Sequence, residues 1–151
     1  MYEQVKPSQD MAAYAASIVE KLLRDLAFGL AKTLERSDES SVHDLRRVCL
    51  RLRHALRMFA RLLPGKGRRR IQRRLGMVQD LLGSVRSCDV ALQVLSDQAV
   101  AAAVHPREIK KAAGAVAAER RRALRPLRGR LRKMRRSDSV ARWRTRLLAA
   151  V

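Results

Sequence analysis

The sequence predicts an all-α fold, an up-down antiparallel bundle of four long helices followed by a short C-terminal helix. Three observations predict it. Leucine, alanine and arginine dominate the 151 residues, aromatics are only 3% of them, and Val-Ile-Thr runs of strand length are missing, a composition that favours helices over sheets. Apolar residues recur at i, i+3, i+4 and i+7 through most of the chain, the period of an amphipathic helix. Short breaks such as "RSDESS" (36–41) and "PGKG" (64–67) separate these stretches, and short connections between helices make antiparallel neighbours.

The first helix is expected from about Ser8 to Arg36. Pro7 and Ser8 signal its start, and Met11, Tyr14, Ala15, Ile18, Leu22, Leu26 and Leu30 form its apolar stripe. The second is expected from Val42 to Leu63, with Ser41 and Asp44 spaced like a capping box. The third should run from about Arg68 to Val100, with Gly76 and Gly83 inside it as points of close helix approach. The fourth starts at Pro106, a favourable first-turn residue, and reaches Arg136, with Pro126 expected to kink or interrupt it. "RSDS" (136–139) then caps a last helix carrying Trp143 and Leu147 on one face. With no linker or low-complexity stretch, residues 1–151 read as one domain, long enough to bury a core without staples.

No apolar run approaches the length of a membrane span and no signal-peptide pattern opens the chain, so a cytoplasmic protein is expected. Cys49 and Cys88 both fall among apolar helix positions and read as small buried hydrophobes.

Charge is the strongest signal. The chain carries 34 Lys+Arg against 14 Asp+Glu, a formal net charge of +20. Residues 1–39 hold five basic and seven acidic side chains, whereas residues 40–151 hold 29 basic and seven acidic ones. Self-repulsion on that scale calls for a polyanionic partner.

The charge concentrates on the second helix. At 100° per residue, Val42, Leu45, Val48, Cys49, Leu52, Ala55, Leu56, Phe59, Leu62 and Leu63 fill one side. His43, Arg46, Arg47, Arg51, Arg53, His54, Arg57 and Arg61 fill the other, where only Leu50 and Met58 stray. A solvated face normally mixes Glu with Arg. Here Arg47–Arg51, Arg53–Arg57 and Arg57–Arg61 are like charges at i,i+4, which destabilise an isolated helix. "GRRRIQRR" (67–74) and "ERRRALRPLRGRLRKMRR" (119–136) repeat the signature on the third and fourth helices. Several phosphates in a row suit such a surface, and Arg presents the planar fork that binds them bidentately.

The same stretch carries a family resemblance. "VHDLRRVCLRLRHALRMF" (42–59) resembles the signature of the CHAD domain, the conserved-histidine α-helical domain. His43, Arg46, Arg51, Arg53, Leu56 and Phe59 fall on its spacing, and Leu50 stands where the family usually has a basic residue. "LGSVRSCDV" (82–90) resembles the family's second motif: Gly83, Arg86, Asp89 and Val90 match, while Ser87 replaces an Asp. The resemblance is strongest over residues 8–98. It implies binding of inorganic polyphosphate in a basic channel without catalysis, and therefore a cytoplasmic role that extends to polyphosphate granules. Family members are typically longer, with two similar bundles facing each other, so this chain is expected to be a shortened member or to pair with a second copy as a homodimer.

The residues expected to bind polyphosphate are His43, Arg46, Arg47, Arg51, Arg53, Arg57 and Arg61 on the second helix. Arg73 and Arg86 on the third join them, with Arg121, Arg125, Arg128 and Arg132 on the fourth. His54 is peripheral and His105 a loop residue. Asp80 and Asp89 read as partners for arginines, with Arg86–Asp89 as a pair at i,i+3. No cofactor or metal is expected: three His in all and no Gly-rich Lys-Ser/Thr loop fit neither a metal phosphohydrolase nor a nucleotide-binding loop. The competing reading is a protein that binds nucleic acid non-specifically through phosphate contacts. Against it, the aromatics that stack on single strands are nearly absent.

Overall fold

The computed structural model describes residues 9–102 and 105–149. Among them are five helices and no strand: α1 (Gln9–Arg36), α2 (Glu39–Met58), α3 (Gly65–Ala102), α4 (Pro106–Arg136) and α5 (Ser139–Leu148). The expected start of α1 at Ser8 lies outside the described residues. α1 packs on α2, α2 on α3 and α3 on α4, while α4 returns to α1 and α5 fills the space among α1, α3 and α4. The long helices alternate in direction. Gly29 lies against Leu45 while Thr33 donates to the Ser41 carbonyl at 3.2 Å, so rising numbers on α1 meet falling numbers on α2.

Each helix contributes one stripe to a common core. Val19, Leu23 and Leu26 of α1 meet Leu45, Leu52 and Leu56 of α2, Leu75, Leu82 and Val85 of α3, and Leu127 and Leu131 of α4. Trp143 and Leu147 plug the end from α5. Burying one such aliphatic side chain contributes about 1.5–3 kcal/mol. Gly29 is where a helix needs its glycine: a Cβ there would meet Leu45 Cδ1 at 3.2 Å. Gly76 and Gly83 do not mark close helix approach as expected, since a Cβ on Gly83 meets nothing within 4 Å and one on Gly76 meets only the Arg53 guanidinium.

Helix boundaries depart from the expected ones in two places. α2 starts at Glu39 because Asp38, not Ser41, is its N-cap: the Asp38 carboxylate accepts the Ser41 N–H at 2.8 Å. Ser41 is buried inside the helix. α2 also ends at Met58, before the expected Leu63. Phe59 and Leu63 are nonetheless buried, so the turn carries the apolar pattern onward, and α3 begins at Gly65 with the Pro64 carbonyl accepting from Arg68. Pro126 does not interrupt α4. It is exposed, as is Arg122, whose carbonyl loses its usual donor, so the missing bond lies where water can replace it.

α3 has 38 residues and α2 only 20, about 57 Å against 30 Å at 1.5 Å per residue. No residue of α3 from Val90 to Val100 is buried, and none of α4 before Leu127 is. The α3–α4 pair thus extends as an arm past the turn joining α1 to α2. That turn is held by its neighbours. Ser37 adopts φ 51°, a conformation that side chains other than glycine rarely take, and accepts from Arg120 at its carbonyl (2.8 Å) and from Arg128 at its Oγ.

Candidate functional site

α2 turns its basic face toward two different flanks. On the α3 flank, Arg53 and Arg57 look across to Lys66, Arg69, Arg70 and Arg73, which recur at helical spacing over the first turns of α3. Between the helices lies an open groove of about 1050 Å³. Six cations line it against one carboxylate, Asp80. Arg53 is set in place by α3 itself: its guanidinium lies over Gly76, where no side chain obstructs it, and donates to Gln79 Oε1. Arg69 donates back to the Gly65 carbonyl at 3.3 Å. None of the six forms an ion pair among the described residues, where the paired cations are Lys32, Arg86, Arg120, Arg122 and Arg144.

Rows of like charge this close together repel one another. An anion carrying several charges at intervals along the groove would relieve that repulsion. The lining holds no Ser, Thr, Cys or His, and what it presents is chiefly cationic hydrogen-bond donors.

On the α1 flank the same helix does something else. Arg51, His54 and Arg61 border a cavity of about 870 Å³ whose walls include Tyr14, Ile18, Leu22, Met58 and Phe59. Arg57 lies at the crest between the two cavities and lines both. Arg46 and Arg47 are exposed near the start of α2 and line neither. His43 is half-buried, and its Nδ1 is enclosed without a hydrogen-bond partner among the described residues.

The other expected residues divide into three groups. Arg73 joins the groove. Arg86 and Arg128 are engaged within the fold, Arg86 with Glu39 at 2.8 Å and Arg128 with Ser37. Arg121, Arg125 and Arg132 are exposed on α4, which does not touch α2, so they lie apart from the groove.

The expected Arg86–Asp89 pair is not formed. Asp89, buried, pairs with Arg120 of α4 at 2.6 Å, while Arg86 reaches the first residue of α2. Asp80, expected to partner an arginine, forms no ion pair among the described residues. Sequence reasoning also passed over Lys66, Arg69 and Arg70. Their signal was the "KGRRRIQRR" run beside Arg73, but a run shows which helix is basic and not which residues face a neighbour.

Neither motif departure disturbs the groove. Leu50 is exposed on the outside of α2, and Ser87 turns its Oγ back to the Gly83 carbonyl at 3.0 Å. Cys49 is fully buried, which pushes its thiol up to about 12. Among the described residues no cluster of three potential metal ligands occurs, and no helix is long and apolar enough to cross a membrane.

A model of the CHAD domain matches residues 17–150, nearly the whole chain. The chain belongs to the CHAD family. The match runs well beyond residue 98, so α4 and α5 are part of the CHAD fold here as much as the motif-bearing helices. No curated protein and no solved structure matches the chain.

Proposed function

We propose that this CHAD protein binds inorganic polyphosphate, without catalysis, in the groove between α2 and α3. The observation that carries the reading is the lining: six cations from two helices, without ion-pair partners among the described residues, against one carboxylate. Polyphosphate binding is known of the CHAD family in general terms, and the groove gives this chain a surface with the charge for it. Arg53 and Arg57 on one wall, with Arg69, Arg70 and Arg73 on the other, hold successive phosphates through charge-assisted hydrogen bonds. Lys66 adds a point charge at the end. The protein then works in the cytoplasm, on polyphosphate granules, as a binding module.

The groove has walls on two sides only, and the protein pairs with a second copy as a homodimer through a different flank. The exposed Tyr14, Phe28 and Met58 on the outside of α1 and α2 favour such self-association. A monomer mass independent of concentration in sedimentation overturns the dimer and leaves the groove intact.

The test of function is a competition titration of labelled polyphosphate against duplex DNA of equal total charge, at about 0.15 M salt, where exposed charges are screened beyond about 8 Å. Poor competition by DNA is expected. Equal or better competition overturns the reading in favour of a protein that binds nucleic acid non-specifically.

A further inference from the structure

We propose that a second, smaller pocket, enclosed by α3, α4 and α5, binds a small phosphate ion of one or two phosphoryl groups. It is lined by Arg74 of α3, Arg130 and Lys133 of α4 and Arg142 of α5, together with the hydroxyls of Ser137 and Ser139. No carboxylate lines it, and Asp138, next to it in the chain, does not reach it. Its volume is about 180 Å³, room for about six waters. That is below the range of pockets that take drug-sized molecules. A nucleotide or a length of polymer does not fit, whereas orthophosphate or pyrophosphate does.

The geometry supplies what such an ion needs. Arg142 is pinned to the Ser137 carbonyl through its Nε at 2.8 Å and through a second N–H, which fixes its direction. Arg74, Arg130 and Lys133 have no hydrogen-bond or ion-pair partner among the described residues. The two hydroxyls lie 2.8 Å apart, one donating to the other. Ser139 is also the first residue of α5, whose N-cap, Asp138, makes no side-chain cap, so the first N–H groups of a ten-residue helix point the positive end of its dipole toward this side.

The pocket is separate from the α2–α3 groove. It shares no lining residue with it, and Arg73 and its neighbour Arg74 line the two different cavities. The inference therefore does not depend on what the groove binds.

Trp143 lines the pocket and is the chain's single tryptophan, so its fluorescence reports occupancy. The experiment titrates the full chain with pyrophosphate at constant ionic strength, with potassium chloride as the control, and follows fluorescence and binding heat together. A saturable change absent from the chloride control is expected. Arg130→Gln with Lys133→Gln should weaken it about tenfold or more, and Arg74→Gln, at an exposed α3 position, gives a second variant that leaves α4 untouched. Arg53→Gln with Arg69→Gln and Arg73→Gln, in the groove, should leave the Trp143 fluorescence change in place, whatever heat the groove itself contributes. The proposal is overturned by the absence of a fluorescence change in the unmodified chain, or by a fluorescence response that persists in both pocket variants. Long-chain polyphosphate matched for chain ends assigns the source. A response to pyrophosphate alone identifies a free ion, and a response to both identifies the end of a chain; either upholds the pocket.

Discussion

Arg53, Arg57, Arg69 and Arg73 line an open groove with no carboxylate at ion-pair distance among the described residues, whereas Arg120 and Arg128 are turned inward onto Asp89 and the Ser37 turn. The residue type is the same and the setting decides its work. At the inner junction, one guanidinium joins three segments, since Arg120 holds Asp89 of α3 through Nε and the Ser37 carbonyl through Nη2. Its charge is cancelled where it lies. In the groove the charges repel one another and are left for a ligand to cancel. Removing a groove arginine should therefore weaken binding and spare the fold, and removing an inner one should do the reverse.

The largest effect is expected at the inner junction. Asp89 is 5% exposed and Arg120 18%, so replacing the carboxylate leaves a guanidinium enclosed without its counter-charge, a change that costs about 3–5 kcal/mol when a buried pair is broken. Asp89→Asn should lower the thermal midpoint by about 10 °C, with polyphosphate affinity per folded molecule unchanged. Asp89→Leu combined with Arg120→Met should recover part of the loss, because a matched apolar pair leaves no charge stranded. Thermal melts followed by circular dichroism check both. A midpoint unchanged in Asp89→Asn breaks the contrast between the two arginine populations.

The groove comes next. Arg53→Gln, Arg69→Gln and Arg73→Gln together should weaken polyphosphate binding by about a hundredfold or more, from the loss of three charge-assisted contacts. The salt dependence of binding should also become shallower. The thermal midpoint should not fall, since like charges are being removed. Arg51→Gln with Arg61→Gln, on the α1 flank of the same helix, should change affinity by only about twofold, as expected for rim charges. Equal losses from the two sets would show that the whole basic face of α2 binds, and that the groove adds nothing.

How much of this was legible in the sequence differs between the two regions for a physical reason. Helical period separated the buried side of α2 from its basic side residue by residue, down to the exposure of Leu50 and Met58, because a core is a property of one helix's pattern. It left open which flank each arginine turns to, which depends on the neighbours. Arg51 and Arg53 looked equivalent and line different cavities. The Arg86–Asp89 pair was a local guess at i,i+3, and both residues chose partners on other helices. A clue to the true pair was present. Arg120 falls in the stripe that continues to Leu124, Leu127 and Leu131, and Asp89 in the stripe of Leu82 and Val85, so each is a charged residue at a core position and calls for the other. Lys66, Arg69 and Arg70 came to line the groove only once α3 began at Gly65, after a turn whose buried Phe59 and Leu63 had read as more helix.

The smallest effect is expected at the cap that starts α2 and so sets the register of Arg53 and Arg57 against α3. The Ser41 backbone N–H, donating to Asp38, holds that carboxyl below its ordinary 3.8, with help from the Ser41 hydroxyl and the nearby Arg36 and Lys32 charges. A carboxylate depressed in the folded state contributes stability that is fully present above its ordinary value and is lost as pH falls through the folded one. Asp38→Asn keeps an oxygen for the Ser41 N–H and removes the charge. The variant should therefore melt slightly below the unmodified chain near pH 6, and the gap should close as pH drops below 3.8. Paired melts across that range measure it. A gap that stays constant with pH would mean that Asp38 acts through shape alone, and that its charge does not stabilise the start of α2.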